Sequence, residues 1–181
     1  MIVDLFLAKD RLFLLRPKAG NSFFVGGLLA MIWVMALHGE YEPSPAQWVR
    51  DQVEKYEGTN GAEANTLRDT GLKIIILTTV GHKTKKIRKS PVMRVEHDGE
   101  YAIVASKGGA PAHPYWYHNL VADPQAVMIQ DGPEPFDAYV EELDGEEREL
   151  WWRRAVEAFP PYAEYQTKTD RKIPVFVARR K

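Results

Sequence analysis

The chain has 181 residues, of which 45% are hydrophobic, and a formal net charge of -1. This length suits one well-buried domain and would be cramped for two. The near-neutral charge argues against a nucleic-acid-binding protein, although it leaves room for a local basic patch. The absence of cysteine excludes disulfides, thiolate zinc sites and a cysteine nucleophile, and it is compatible with a cytoplasmic location.

Residues 1–40 read as an N-terminal extension that differs in composition from a folded domain over residues 41–181. Residues 23–37 form an uncharged, mostly apolar run of 15 residues with basic residues before it. The run is shorter than the roughly 20 residues of a membrane span. Three interpretations compete: a secretory signal, a helix that lies on a membrane as a peripheral contact, and an early start codon upstream of Met31 or Met35. We favour the last, because no clear cleavage site follows.

The first elements of the domain are a helix, a strand and a hairpin. "SPAQWVRDQVEKYEG" predicts a surface helix with Ser44 as its N-cap, Pro45 at its first position and Gly58 as its stop. The β-branched run at residues 72–79 predicts a buried strand. "SPVMRVEH" and "EYAIVASK" alternate on either side of Asp98-Gly99, which predicts two strands joined by a two-residue turn.

The second half of the domain continues this mixture of strands and helices. A short helix should open at Pro114 and stop near Asp123-Pro124, and "QAVMIQ" and "FDAYVEEL" should form two more strands. The clearest helix begins at Asp144, with Glu147 in a capping-box position. Its apolar face carries Trp151, Ala155 and Phe159.

The C-terminal residues predict a short helix, "PYAEYQ", and a closing strand, "IPVFVAR". Together the segments give six strands, mostly joined by hairpins, with two or three helices at the periphery. We therefore expect an α+β fold built on a six-stranded antiparallel barrel.

A basic stretch between the first two strands is a candidate anion site. "GHKTKKIRKSP" contains Lys83, Lys85, Lys86, Arg88 and Lys89. Each charge-assisted contact to a phosphate or carboxylate is worth about 1.5 to 3 kcal/mol when desolvated, and an arginine can bind two oxygens at once. Charge runs are also common on exposed turns, so the stretch alone favours a solvated turn.

The loop "ASKGGAPAHPYWYHNL" and two later tyrosines are further candidates. The glycines of the loop allow close approach to a flat ligand, and its aromatic residues offer faces for stacking. A turn followed by a core-anchoring helix is an equally good interpretation. Tyr162 and Tyr165 lie three residues apart, so a helical turn presents both phenols on one face, either to a substrate oxygen or as hydrophobic lids.

Several catalytic and binding motifs are missing from the sequence. There is no G-x-G-x-x-G dinucleotide motif, no G-x-x-x-x-G-K-[ST] phosphate loop and no G-x-S-x-G nucleophile elbow. His113 and His118 are not part of an H-E-x-x-H pattern, so we expect no metal site.

From residue 44 to the C-terminus, the sequence resembles the deazaflavin-dependent nitroreductase family of split β-barrel oxidoreductases, found in mycobacteria and other actinobacteria. The resemblance rests on a strand ending in LTT-x-G, on A-S-x-G-G and on P-x-W-Y-x-N-L-x-A-x-P. It extends to P-x-Y-x-x-Y-Q-x-x-T-D-R-x-I-P near the C-terminus.

The resemblance implies binding of coenzyme F-420, an 8-hydroxy-5-deazaflavin that carries hydride and ends in a phosphodiester and an acidic oligoglutamate tail. It implies hydride transfer to a small-molecule acceptor: an activated alkene or enone, a quinone or a nitro compound. The residues implied to line the phosphate and tail are His82, Lys83, Thr84, Arg88, Lys89, Ser90, Pro91, Val92 and Met93. Those implied to flank the ring are Val104, Ala105, Ser106, Lys107, Tyr115, Trp116, Tyr117, His118 and Asn119.

The same resemblance implies catalytic roles for Ser106, Tyr162 and Tyr165, which would polarise the acceptor or supply its proton. One departure concerns the turn, because Lys85 stands where the family commonly has glycine, and a lysine resists a positive φ. The longer segment before the first strand resembles the branch linked to conjugated lactones. An FMN-binding split-barrel flavoprotein and a non-catalytic deazaflavin-binding protein are the alternatives, and the oligomeric state stays open.

Overall fold

A computed structural model of the protein describes residues 37–181, so most of the predicted N-terminal extension lies outside the described residues. The described part has four α-helices and seven β-strands. The helices are α1 (Gln47–Gly58), α2 (Tyr115–Ala122), α3 (Gly145–Ala158) and α4 (Pro161–Thr167). The strands are β1 (Ile74–Val80), β2 (Ile87–Met93), β3 (Glu96–His97), β4 (Glu100–Val104), β5 (Val127–Gln130), β6 (Pro135–Glu142) and β7 (Val175–Arg180).

All strand pairs are antiparallel, and the sheet order is β2-β1-β5-β6-β7-β4-β3. The two strands at the ends of this order, β2 and β3, are joined in the chain by Arg94 and Val95 alone. The sheet therefore curls until its two ends approach each other. The α+β class and the antiparallel sheet are confirmed.

The predicted strand count was wrong by one. "SPVMRVEH" divides into β2 and β3, because its first part pairs with β1 and its last two residues pair with β4. Because this one segment pairs with β1 near one end of the sheet and with β4 near the other, it bends between the two pairings. Arg94 and Val95 form this bend.

Successive side chains of β1 point to opposite faces of the sheet and belong to two separate cores. Ile74 and Ile76 belong to a first core, with residues of α1, α3 and α4, whereas Ile75 and Leu77 belong to a second core that α2 covers. Both faces of β1 are buried, which explains why its sequence is a continuous apolar run.

The Asp98-Gly99 hairpin is confirmed, with φ of +53° and +80° at its two residues. The predicted N-cap of α1 and the predicted capping box of α3 were wrong. Helix α1 begins at Gln47, because the Ser44 hydroxyl accepts a hydrogen bond from the Ala46 N–H and forms a turn before the helix.

Helix α3 does begin after Asp144, but no side-chain capping bond forms there. Glu147 instead pairs with Arg179, at 3.1 Å. The predicted apolar face of α3 is confirmed, since Trp151, Ala155 and Phe159 are all buried.

No helix in residues 37–181 is long and apolar enough to cross a membrane.

Candidate functional site

A cavity of about 470 Å³ lies where the turn after β1, the start of β2, helix α2 and the segment before α1 meet. This volume is in the range of cofactor-binding pockets. The wall before α1 consists of Glu42, Pro43, Ser44 and Pro45, and the turn contributes Gly81, His82, Lys83 and Thr84. The remaining lining residues are Arg88, Lys89, Ser90, Tyr115, Trp116 and Asn119.

Residues 81–89, here called the cationic turn, are held by a short backbone ladder. The Gly81 N–H donates to the Lys86 carbonyl, and the Lys85 N–H donates to the Gly81 carbonyl, both at 2.8 Å. Gly81 is needed for close approach, because a Cβ there would lie 2.7 Å from the Thr84 hydroxyl oxygen. Lys85 adopts a φ of +59°, so the turn keeps a conformation that suits glycine although lysine occupies the position.

Asn119 anchors this turn from helix α2. Its carbonyl oxygen accepts from the His82 N–H at 2.9 Å and lies 3.1 Å from His82 Nδ1. Its amide donates to the Thr79 hydroxyl at 3.0 Å. Because an amide oxygen only accepts, Nδ1 of His82 is the donor in this contact. Asn119 is buried, so it positions His82 as well as lining the cavity.

Three of the five cations predicted to bind an anion pair with carboxylates from outside the turn. Lys86 pairs with Glu40 at 3.1 Å, and Lys89 with Glu57 at 2.7 Å. The Arg88 guanidinium pairs with the Glu42 carboxylate. Of the turn's cations, only Lys83 and Lys85 have no ion pair within residues 37–181.

Glu42 is a site residue that sequence reasoning missed. The acidic character of "EYEPSP" is visible in the sequence, but its position against Arg88 depends on a non-local backbone contact with β2. The Glu42 N–H donates to the Ile87 carbonyl at 3.0 Å, and the Ile87 N–H donates to the Glu40 carbonyl at 2.9 Å.

The aromatic residues of α2 divide between the cavity and the second core. Tyr115 is 85% exposed at the cavity rim, with the Lys107 ammonium 5.6 Å from its ring centroid. Trp116 lines the cavity. Tyr117 faces away and stacks on His113 at a centroid distance of 4.0 Å. Burial and the nearby Glu142 carboxylate raise the pKa of Tyr117.

A second group of predicted residues gathers around the loop after β4 and helix α4. Val104, Ala105 and Ser106 are buried there. Arg171, from the T-D-R-x-I-P motif, donates to the Ser106 carbonyl at 2.8 Å and to the Ala110 carbonyl at 3.0 Å. This guanidinium therefore holds the C-terminal motif against residues 106–110, here called the glycine loop. Arg171 is a second residue that sequence reasoning missed, although the T-D-R-x-I-P motif contains it.

The two predicted tyrosines differ in environment. Tyr162 is only 4% exposed and packs against Phe159, with ring centroids 4.9 Å apart. Burial raises the pKa of the Tyr162 phenol far above its usual value. Tyr165 is partly exposed, and its ring centroid lies 6.3 Å from that of Tyr162.

The structure brings about half of the predicted site residues into the cavity: His82, Lys83, Thr84, Arg88, Lys89, Ser90, Tyr115, Trp116 and Asn119. The residues that do not line it are Pro91, Val92, Met93, Val104, Ala105, Ser106, Lys107, Tyr117, His118, Tyr162 and Tyr165. No group of three or more His, Asp or Glu within residues 37–181 is arranged to hold a metal ion.

Comparison with known proteins decides the family. The family model described as F420H(2)-dependent quinone reductase matches residues 48–180. The chain belongs to this family. An F420H(2)-dependent quinone reductase of Mycobacterium tuberculosis is 36% identical over 129 residues, which cover 70% of this chain and 85% of that protein.

Two solved structures are similar to this chain. One, described as an F420-H2 dependent reductase (FDR-A), is 59% identical with a TM-score of 0.56 and covers 59% of this chain and 93% of its own. The other, described as a domain-swapped dimer, is 53% identical with a TM-score of 0.59 and covers 75% of this chain and 100% of its own.

The protein is therefore a deazaflavin-dependent reductase, and its cofactor is coenzyme F420. The donor set of the cavity fits this coenzyme. Cationic side chains at one wall suit a phosphodiester and carboxylates, and the indole of Trp116 suits a planar ring.

Proposed function

We propose that the protein reduces quinones with reduced coenzyme F420, and that the described cavity holds the coenzyme. The observation that carries the proposal is that the cationic turn and the aromatic residues of α2 line one cavity. A ligand with an anionic tail and a flat head requires these two surfaces side by side. The family match and the name of the mycobacterial relative support quinone as the acceptor class.

The residues of the turn act by binding and orientation. Lys83 and Arg88 neutralise the anionic part of the ligand, while Asn119 fixes the turn through His82. Trp116 and Tyr115, which line the same cavity, would hold the ring. When bound, the reduced coenzyme supplies a hydride to the acceptor. Holding two reactants in stacked contact provides much of the rate gain in such transfers, so no covalent nucleophile is required.

Ser106, Tyr162 and Tyr165 are the residues that we propose for the acceptor side. The contact between the glycine loop and α4 supports their grouping, because Gly109 and Tyr165 approach closely. The raised pKa of the buried Tyr162 makes it a poor proton donor, so Tyr165 or solvent is the better source of the proton that completes reduction.

Three finer expectations accompany this proposal. We propose that the curled sheet is a split β-barrel, since β2 and β3 lie at opposite ends of the strand order yet are joined by two residues. Activated alkenes and nitro compounds are proposed as secondary acceptors, because hydride transfer requires only an electron-poor carbon. A cytoplasmic location and a peripheral membrane contact through residues 1–40 also stay proposals.

An acceptor panel tests the proposed activity. Reduced coenzyme F420 is offered with quinones, enones and nitroaromatic compounds, and its oxidation is followed by absorbance, with FMN and NADPH as control donors. We expect oxidation of F420H2 to accelerate most with quinones. Coenzyme binding without acceleration by any acceptor would instead indicate a coenzyme-binding protein without turnover.

A further inference from the structure

In the cationic turn, Arg88 contacts a carboxylate of the protein itself, that of Glu42. Residues 40–42 run along the outer edge of β2, where Tyr41 bridges to Ile87. The backbone bonds of this segment to Ile87, at 2.9 and 3.0 Å, hold Glu42 beside Arg88. Glu42 also lines the cavity, so a negative charge stands inside the proposed anion site.

This arrangement leaves Arg88 already paired. Its guanidinium contacts the Glu42 carboxylate, and Nη1 also donates to the Glu42 carbonyl at 3.4 Å. The side chains of Glu42 and Arg88 are 37% and 29% exposed. Glu42 Oε2, the atom in contact with the guanidinium, is itself buried, so breaking the pair without a replacement costs free energy. An incoming anion that takes the place of the carboxylate keeps Arg88 paired and lets Glu42 regain water.

We propose that Glu42 determines the selectivity of the anion site by occupying Arg88 until a polyanionic ligand displaces it. The proposal rests on the proposed location of the coenzyme. A ligand with one weakly held charge gains little from the exchange, because it replaces one ion pair with another. A ligand that also reaches Lys83 gains an additional contact, since Lys83 has no ion pair within the described residues.

The segment provides a matched control for this idea. Glu40 lies two residues before Glu42 and pairs with Lys86 at 3.1 Å, but neither Glu40 nor Lys86 lines the cavity. Neutralising Glu40 or Glu42 therefore changes the net charge equally. Of these two carboxylates, only Glu42 pairs with a cation that lines the cavity.

The test is a fluorescence titration of wild type, Glu42→Gln and Glu40→Gln with two ligands. One is oxidised coenzyme F420, and the other is the same deazaflavin without its phosphodiester and glutamate tail. We expect Glu42→Gln to bind the complete coenzyme about five-fold more tightly, while Glu40→Gln stays within about two-fold of wild type. Affinity for the tail-less deazaflavin should be the same in all three proteins.

Unchanged or weaker coenzyme binding by Glu42→Gln would overturn the inference, since Glu42 would then serve to orient Arg88. An equal increase in affinity for both ligands would also overturn it, because the tighter binding would then not depend on the anionic tail. If neither ligand binds even to the wild type, the proposed coenzyme cavity is wrong as well. This result distinguishes failure of the proposed function from failure of the inference about Glu42 alone. Thermal unfolding checks that each variant is folded, and Glu42→Ser provides a second variant with the same expectation.

Discussion

Lys85 is the residue at which the sequence of the cationic turn and its backbone conformation conflict. Its φ of +59° is one that glycine adopts freely and that other residues adopt at a cost. The side chain is exposed, and no ion pair within residues 37–181 compensates this cost. The turn is therefore specified by its surroundings, in particular by the bonds between Gly81, Lys85 and Lys86.

We predict that Lys85→Gly stabilises the protein by roughly 1 kcal/mol relative to Lys85→Ala. Both changes remove the same charge, so their difference isolates the backbone strain. Chemical denaturation measures the free energy of unfolding of each variant. A Lys85→Gly protein that is no more stable than Lys85→Ala would show that the positive φ carries no strain.

Tyr101 links stability to alkaline pH. Its hydroxyl donates to Asp131 at 3.0 Å, and burial together with this carboxylate raises the pKa of Tyr101 to about 12. An unfolded tyrosine loses its proton near pH 10, whereas the folded one keeps it longer. The contribution of Tyr101 is therefore complete below about pH 10 and is lost as the pH rises towards about 12.

We predict that Tyr101→Phe flattens the fall in unfolding free energy between about pH 10 and 12 by about 1 kcal/mol, a value that allows for partial solvent screening. Tyr115→Phe is the control, because Tyr115 is 85% exposed. Urea denaturation at several pH values measures the slope. The same slope in wild type and Tyr101→Phe would contradict the assignment.

The sequence predicts some of the cavity-lining residues and gives no signal for others, for a physical reason. The His82, Lys83 and Arg88 group follows a buried strand directly, so local order places it at the strand end. The contact of Glu42 with Arg88 joins residues 46 positions apart, and the Asn119 bond to His82 joins residues 37 positions apart. Nothing local to either partner indicates such pairings.

At the scale of elements, the glycine loop after β4 packs closely against helix α4 near the proposed acceptor side. A Cβ on Gly109 would lie 2.6 Å from the Tyr165 carbonyl oxygen and 2.9 Å from Lys168 Cβ. Gly109 also has a φ of +81°. Its neighbour Gly108 has a φ of +67°, but a Cβ there would meet nothing within 4 Å.

Substitutions at these two glycines therefore separate the cost of backbone strain from the cost of steric overlap. We predict that Gly108→Ala costs about 1 kcal/mol of unfolding free energy and that Gly109→Ala costs about 2 to 4 kcal/mol. Gly109→Ala should also lower turnover, because it pushes α4, which carries Tyr165, away from Gly109. Equal destabilisation by the two changes would mean that α4 moves aside freely.

Element boundaries followed the sequence where a local signal was strong. The Asp98-Gly99 turn and the apolar run of β1 were recognisable from residue type alone. The division of "SPVMRVEH" into β2 and β3 was not, because it depends on which strands pair with each half. The start of α1 was also missed, since Ser44 bonds to Ala46 rather than capping the helix.

At the scale of the whole molecule, the curled sheet separates a first core under α1, α3 and α4 from a second core under α2. The cavity lies outside both cores, between the segment before α1 and helix α2. Charged residues can therefore line it without disturbing the packing. The continuous apolar run of β1 predicts burial on both faces, but it does not indicate which helices cover them.

The central claim is that this cavity binds coenzyme F420 through the cations of its turn. The most direct test is the dissociation constant of the oxidised coenzyme for Lys83→Met/Arg88→Met, compared with wild type. Arg153→Met on α3 is the control, because Arg153 is exposed and does not line the cavity. We predict that the double variant binds at least about ten-fold more weakly while the control matches wild type. Equal affinity of the double variant and wild type would contradict the account.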